Sequence, residues 1–374
     1  MKSKAILVTL LAHFLVVNTA LPADDAPKKP VLRVVFFTPT DIEPPERVRE
    51  RLKEHVDYAQ TFFTKWMKHW GYECKSPLPV NRDKDGYPEI LFVKGKHTEA
   101  SGRYSKLGFQ SEVVKTACQK YALKRQGEVW WIFMYKGPQS NGFRGGGNSH
   151  FGGTSTAIYN PSRKGHLRPE AELGGEEAGN LQAKAAIHEL GHALGLPHIG
   201  PLDKDKLGNS LMGPITPAYR KRHGNETRVY LSKAAAAMLW KHPLFSGSTK
   251  DRDKLPTLAF DNLRATFDKA SSRLTVSGHV ETNYSAHNVV IGCESKTTRG
   301  GYWTKTFVGQ VAEDGTFQVE IDEILPKDGH LRTACCFNNG AVIGKDGGRR
   351  LEKGFVMQYT FTDGVFMMGD GWGN

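Results

Sequence analysis

HELGHALGLPH, His188–His198, is the stretch on which the reading of this chain turns. Residues four apart on a helix lie one turn above each other, so His188 and His192 share a face and can share a metal ion. Glu189 follows the first histidine and precedes the second by three. Its carboxylate therefore flanks the same cleft edge and can reach a metal-bound water without being a ligand. Gly195 permits the turn that ends the helix. The chain then doubles back, Pro197 stiffens the approach, and His198 offers a third nitrogen. Three imidazoles leave one tetrahedral position open for water, which separates a catalytic zinc site from a closed structural one. With 14 His and 40 Gly in 374 residues, HExxHxxGxxH should arise by chance about once in ten thousand such chains.

Working outward, Asn180 is a suitable cap for a helix over Leu181–Leu194. Upstream, Val31–Phe37 (VLRVVFF), Glu89–Val93 and Glu128–Tyr135 (EVWWIFMY) read as buried strands. Between them, Pro44 and Pro45 open a long helical pattern to Trp70, closed by Gly71, and Ser111–Leu123 has a second helical period. Strand, helix, strand, helix, strand predicts helices packed on a mainly parallel sheet. Gly142–Gly153, with Gly145, Gly146 and Gly147 consecutive, precedes the strand Thr154–Tyr159 and no helix, so it reads as a loop or bulge with no phosphate role. Arg163–Gly179 is a polar surface excursion, and Ser232–Lys241 is a further helix. From Lys254 the texture changes. Leu274–Val280, Asn288–Cys293, Tyr302–Val311 and Thr316–Ile321 alternate apolar and polar residues, and Asp314–Gly315 signals a hairpin between the last two. Short strands without helices predict an all-β sandwich.

The chain carries 39% hydrophobic and 24% charged residues, which is globular composition. Lys2 and Lys4, the apolar run Ala5–Val17 and the small residues to Ala23 have the layout of a secretory signal peptide, too short for a comfortable membrane span. Five cysteines suit an oxidising compartment, with Cys74–Cys118 as one expected bridge, Cys293 with Cys335 or Cys336 as another, and one thiol left over. The net charge of +12 comes from scattered Lys and Arg, so a solvated basic surface is expected and not a nucleic-acid site.

The His188–His198 segment resembles the zinc-binding signature of the metzincin metallopeptidases, and its HELGHALGL core is most similar to matrixin-type sequences. The resemblance covers roughly Val31–Pro243. It implies a metzincin-like catalytic domain, a twisted mixed sheet with a zinc-binding active-site helix; with the β sandwich read from texture, the expected chain is α+β and multidomain. The expected division is signal peptide 1–23, linker 24–30, metallopeptidase domain 31–245 and sandwich 254–374. It further implies Zn2+ on His188, His192 and His198, Glu189 as general base, and a methionine turn beneath the metal at Met212, within Asn209–Pro214. Thr154–Tyr159 or the segment before it would pair with an extended peptide, and Gly213–Arg220 would line the pocket beyond the scissile bond. No Tyr stands two residues after Met212, so a tyrosine ligand from that turn is not expected. No cysteine-switch motif or room for a large pro-segment is seen. The expected function is a secreted or periplasmic zinc endopeptidase acting on peptide or protein, without stable membrane insertion. The alternatives are a binding protein with a vestigial metal site, or a zinc amidase acting on a non-protein amide.

Overall fold

Leu32–Thr38 (β1) is the second strand of a five-stranded sheet and is buried along nearly its whole length. The chain continues through α1 (Val48–His69), β2 (Ile90–Lys94), α2 (Gln110–Tyr121), β3 (Val129–Met134), β4 (Arg144–Asn148) and β5 (Gly152–Ile158). The strand order is β2-β1-β3-β5-β4, parallel except for the antiparallel edge strand β4. The computed structural model describes residues 29–105, 109–125, 127–137, 144–148, 152–295, 301–344 and 356–369. The expected signal segment 1–23 and most of the linker 24–30 lie outside these residues. Among the described residues no helix is long and apolar enough to cross a membrane.

Alternation along the strands divides the apolar residues between two layers. Val34, Phe36, Trp131 and Phe133 face α1 and the helix of the histidine motif, while Val35, Phe37, Trp130 and Ile132 face α2. Helix α1 contributes Leu52, Val56, Ala59, Phe63 and Met67 to the first layer, the residues its three- and four-residue period selects. Burying such side chains stabilises by about 1.5–3 kcal/mol each. Gly71, at φ 76°, closes α1, and the Tyr72 amide donates to the Met67 carbonyl over the last turn.

The next elements are α3 (Glu176–Asn180), α4 (Ala183–Ala193), β6 (Asn209–Ser210), α5 (Thr216–His223), β7 (Val229–Tyr230), α6 (Lys233–Leu239) and α7 (Pro243–Ser246). Asn180 does not cap the motif helix. It ends α3, and Gln182 in the left-handed region starts α4. Arg163–Gly179 runs mostly exposed, as a surface excursion should, and is pinned by Arg168 on Glu177 and His166 on Glu54 of α1. The glycine run is not a loop either. Residues 144–148 form β4, and a Cβ on Gly145 would lie 2.1 Å from the Glu189 carbonyl oxygen. The bare glycine backbone lets the edge strand lie on the motif helix.

The C-terminal part comprises β8 (Ala259–Asp268), β9 (Arg273–Glu281), β10 (Ala286–Ser295), β11 (Lys305–Gln310), β12 (Thr316–Ile321), β13 (Gly329–Phe337), β14 (Val342–Ile343), β15 (Val356–Thr362) and β16 (Val365–Met368). Sheets β11-β10-β13-β15-β16, with β14 on β13, and β12-β9-β8 enclose a core of Val276, Ile291, Val319 and Leu331 among others. The Asp314–Gly315 turn forms, yet β11 pairs with β10 and β12 with β9. The turn closes a short hairpin with one antiparallel bridge, Val311 with Phe317, and beyond it the two strands part into different sheets. The six-stranded sheet is buried on its second face as well. Val290, Ala334, Cys336 and Val342 join the apolar cluster of α1, α4 and α6.

The expected disulfides are absent, all five cysteines being free. Cys74 and Cys118 pack on opposite faces of the five-stranded sheet. Cys293 is opposite Leu331 in the ladder while Cys335 is opposite Val289. That offset of four positions separates the two thiols by about 13 Å, beyond the roughly 7 Å that a bridge spans. Cys336 points to the other face of the sheet, away from Cys293.

Candidate metal centre

Helix α4 is held in the core by Ala186, Ile187, Leu190 and Ala193, which leaves His188, Glu189 and His192 on its cleft-facing side. The helix ends as the glycine requires. Gly195 has φ 90°, its amide donates to the His192 carbonyl at 2.9 Å, and the Leu196 amide donates to Gly191 at 2.9 Å. His198 follows on a segment whose next residue, Ile199, donates its amide to the Met212 carbonyl at 3.1 Å. His188, His192 and His198 thereby converge, their ligand nitrogens all within 4.8 Å of one another.

The ring orientations test whether a metal fits. His188 Nδ1 lies 2.8 Å from the Leu211 carbonyl, and His192 Nδ1 lies 2.8 Å from that of Leu196. A carbonyl only accepts, so both nitrogens carry the proton and both Nε2 atoms present lone pairs. Those Nε2 atoms stand 3.1 Å apart, and His192 Nε2 is also 3.1 Å from His198 Nε2. Between His188 and His192 neither lone pair can donate to the other, so the arrangement calls for a cation. Tetrahedral zinc bonded to nitrogen at 2.0–2.1 Å sets its ligands about 3.3 Å apart. The three histidines fit such an ion, and the carbonyls on Nδ1 are the outer partners that orient metal-bound imidazoles. Burial, reinforced by the neighbouring His192, pushes the His188 imidazole down to about 3, so it stays neutral and able to ligate over the ordinary pH range.

Met212 lies fully buried beneath this cluster. A Cβ on Gly191 would come 2.4 Å from Met212 Sδ, so the glycine inside the motif makes room for the methionine. The same turn supplies the Leu211 carbonyl to His188. Glu189 is half-buried, and its charge reaches Tyr302, whose phenol is held above its usual range first by desolvation and then by that carboxylate.

Two groups beside the site were missed in the sequence. Lys184, one turn ahead of His188, sends Nζ to the Pro214 carbonyl at 2.6 Å, and burial pulls its ammonium down to about 7. The only signal for it was its helical spacing from the histidines. Tyr302 and Trp303, assigned to a strand from their texture, lie in the turn before β11, with the Tyr302 ring centroid 3.8 Å from that of His198. Adjacent aromatics after Gly300–Gly301 were the available sign that this was a turn.

No family model and no curated relative matches the chain. The fold, however, is that of solved structures of OgpA from Akkermansia muciniphila. The wild-type protein matches with a TM-score of 0.71 over 91% of this chain and 96% of that one, at 19% identity. A catalytically inactive OgpA bound to an O-glycopeptide substrate, glycodrosocin, matches at TM-score 0.70 and 19% identity, again over 91% of this chain and 96% of that one. The likeness spans both the α/β layer and the sandwich.

Proposed function

We propose that this protein is an extracytoplasmic zinc endopeptidase of metzincin type, with His188, His192 and His198 as metal ligands and Glu189 as general base. The observation that carries the reading is the convergence of three imidazoles, two of them with Nδ1 tied to carbonyls, beside a carboxylate on the same helix. A zinc ion held there would supply Lewis acidity at its open position. Glu189 takes the proton of the attacking water and passes it to the leaving amine. The edge strand β4, antiparallel on β5, presents the backbone on which an extended peptide adds as a further strand. Gly213–Arg220 then lines the pocket beyond the scissile bond, and Lys184 tethers its wall at Pro214. Met212, buried against Gly191, would brace the helix that holds the metal. In this reading residues 31–245 form the catalytic unit and 254–374 the sandwich, after a signal peptide at 1–23.

The O-glycopeptide substrate of the structural neighbour makes glycosylated peptides the first substrates to test. Casein, a random peptide library and an O-glycopeptide with its deglycosylated counterpart are incubated with wild type and Glu189→Ala. Wild type is expected to cleave at least one of these in a zinc-dependent way. Glu189→Ala should keep its zinc and lose 10³-fold or more in turnover, the scale on which a water-activating base counts. Undiminished turnover in the variant would overturn the assignment.

A further inference from the structure

The turn Gly301–Thr304 belongs to the sandwich, yet it forms one wall of the histidine cluster. The Tyr302 ring lies on His198, centroids 3.8 Å apart and planes at 29°, and its centroid is 6.2 Å from that of His188. Gly301, at φ 70°, turns the chain so closely that a Cβ there would sit 3.6 Å from His198 Cβ. Two residues past the ligand, the Gly200 amide donates to the Thr304 carbonyl at 2.8 Å. A Cβ on Gly200 would come within 2.7 Å of the Trp303 carbonyl carbon. The Trp303 indole is in turn covered by the Arg222 guanidinium, 3.9 Å from its centroid. The rings of Tyr219 and His223 lie nearly parallel to it at 6.4 and 6.1 Å.

These contacts divide the three histidines by how they are held. His188 and His192 ride on a helix and have their rings set by carbonyls of neighbouring segments. His198 lies past the helix end, and the Tyr302 ring stacks on it. We propose that the β sandwich completes the metal site. Tyr302 is a positioning residue whose ring presses His198 into its ligating orientation, and the Gly200–Thr304 bond with the clamped Trp303 fixes that turn in place. The sandwich is then a part of the metal centre itself and not a detachable docking module. The aromatic face is the working group, because a stacked pair of flat rings restricts rotation without needing the hydroxyl. This inference rests on the metal reading above.

The test is metal retention, measured on the full chain by the rate at which a chelator in excess removes zinc. Tyr302→Ala should release zinc about tenfold faster than wild type, which converts to about 1.4 kcal/mol. Tyr302→Phe, which keeps the ring, should release it at the wild-type rate. Gly200→Ala, whose methyl meets the backbone of Trp303, should also release zinc faster, although it leaves every side chain around the metal in place. The metal-free forms of the two Tyr302 variants should unfold at closely similar temperatures, so that lost retention is not a general loosening. Equal release from wild type and Tyr302→Ala would overturn the inference while leaving the metal centre standing. Faster release from Tyr302→Phe would overturn it in favour of a role for the hydroxyl. A wild-type protein that takes up no zinc would remove the metal reading and this inference together.

Discussion

The two halves of the histidine cluster are built in different ways. His188 and His192 come from one helix, four residues apart, with Nδ1 bonds to Leu211 and Leu196. His198 comes from an irregular segment between the methionine turn, through the Ile199 bond to Met212, and the sandwich, through the Gly200 bond to Thr304. The first half follows from helical period, which any chain of this pattern would reproduce. The second depends on the turn that leads into β11 of the sandwich, far downstream. A histidine cluster divided in this way should respond to perturbation of either half, through separate causes.

The largest effect on the helical half is expected at Gly145. A methyl there meets the Glu189 carbonyl, backbone that cannot swing aside, so β4 and α4 must move apart. Gly145→Ala should cost about 1–3 kcal/mol, the scale of overpacking in a closed interior, read from urea unfolding beside wild type. Wild-type stability would show that β4 does not lie on the motif helix.

The contact between the sandwich and α6 should be sensitive to acid. His287 of β10 meets the Trp240 indole edge-on at 5.0 Å, where the sandwich joins α6. Desolvation is the main cause, and the positive charge of Lys241 a lesser one, that pulls its imidazole down to about 4, while Asn288 opposes the shift. The depressed value fixes the sign. The unfolded chain takes up this proton near 6.5 and the folded one only near 4, so the contribution is complete above pH 6.5 and lost as pH falls towards 4. The thermal midpoint should therefore fall between pH 7 and 4.5, and His287→Gln should flatten that decline. If the variant declines as steeply as wild type, the proton goes elsewhere, with buried His55, also held low by desolvation, as the next residue to substitute.

The smallest effect is expected at Lys184, whose ammonium donates to the Pro214 carbonyl. The Pro214 carbonyl keeps a second donor, Asn209 Nδ2 at 2.8 Å. Lys184→Met exchanges a desolvated amine for an apolar chain of similar length, so stability should change by less than about 1 kcal/mol. Zinc content should be unchanged, and any difference should fall on KM for peptides with long side chains after the scissile bond. A loss of zinc from this variant would place Lys184 among the groups that hold the metal.

Much of the α/β layer was legible because periodicity and burial coincide there. Val48, Leu52, Val56, Ala59 and Phe63 occupy the face that their spacing predicts, and VWWIFM is buried on both sides as a central parallel strand must be. The errors share one physical origin. The Cys74–Cys118 pairing ignored which face of the sheet each thiol would occupy, and the hairpin at Asp314–Gly315 closes for only one bridge because its strands join different sheets. The glycine run read as a loop because a backbone pressed against a helix leaves no mark in sequence except the missing side chains. Tyr302 was assigned to a strand because local texture cannot tell a strand start from a turn that reaches another part of the molecule.

By itself the sequence determined the spacing of His188, Glu189 and His192 on one helix, the turn at Gly195 and the change from helical to strand texture near Lys254. These are consequences of backbone geometry over a few residues. Only the tertiary structure decided that Met212 sits under Gly191, that Gly145 touches the motif helix, and that His198 is covered by an aromatic ring from the sandwich. Those contacts join residues distant along the chain, and they are selected by which apolar faces must be buried against each other, a choice no local pattern encodes.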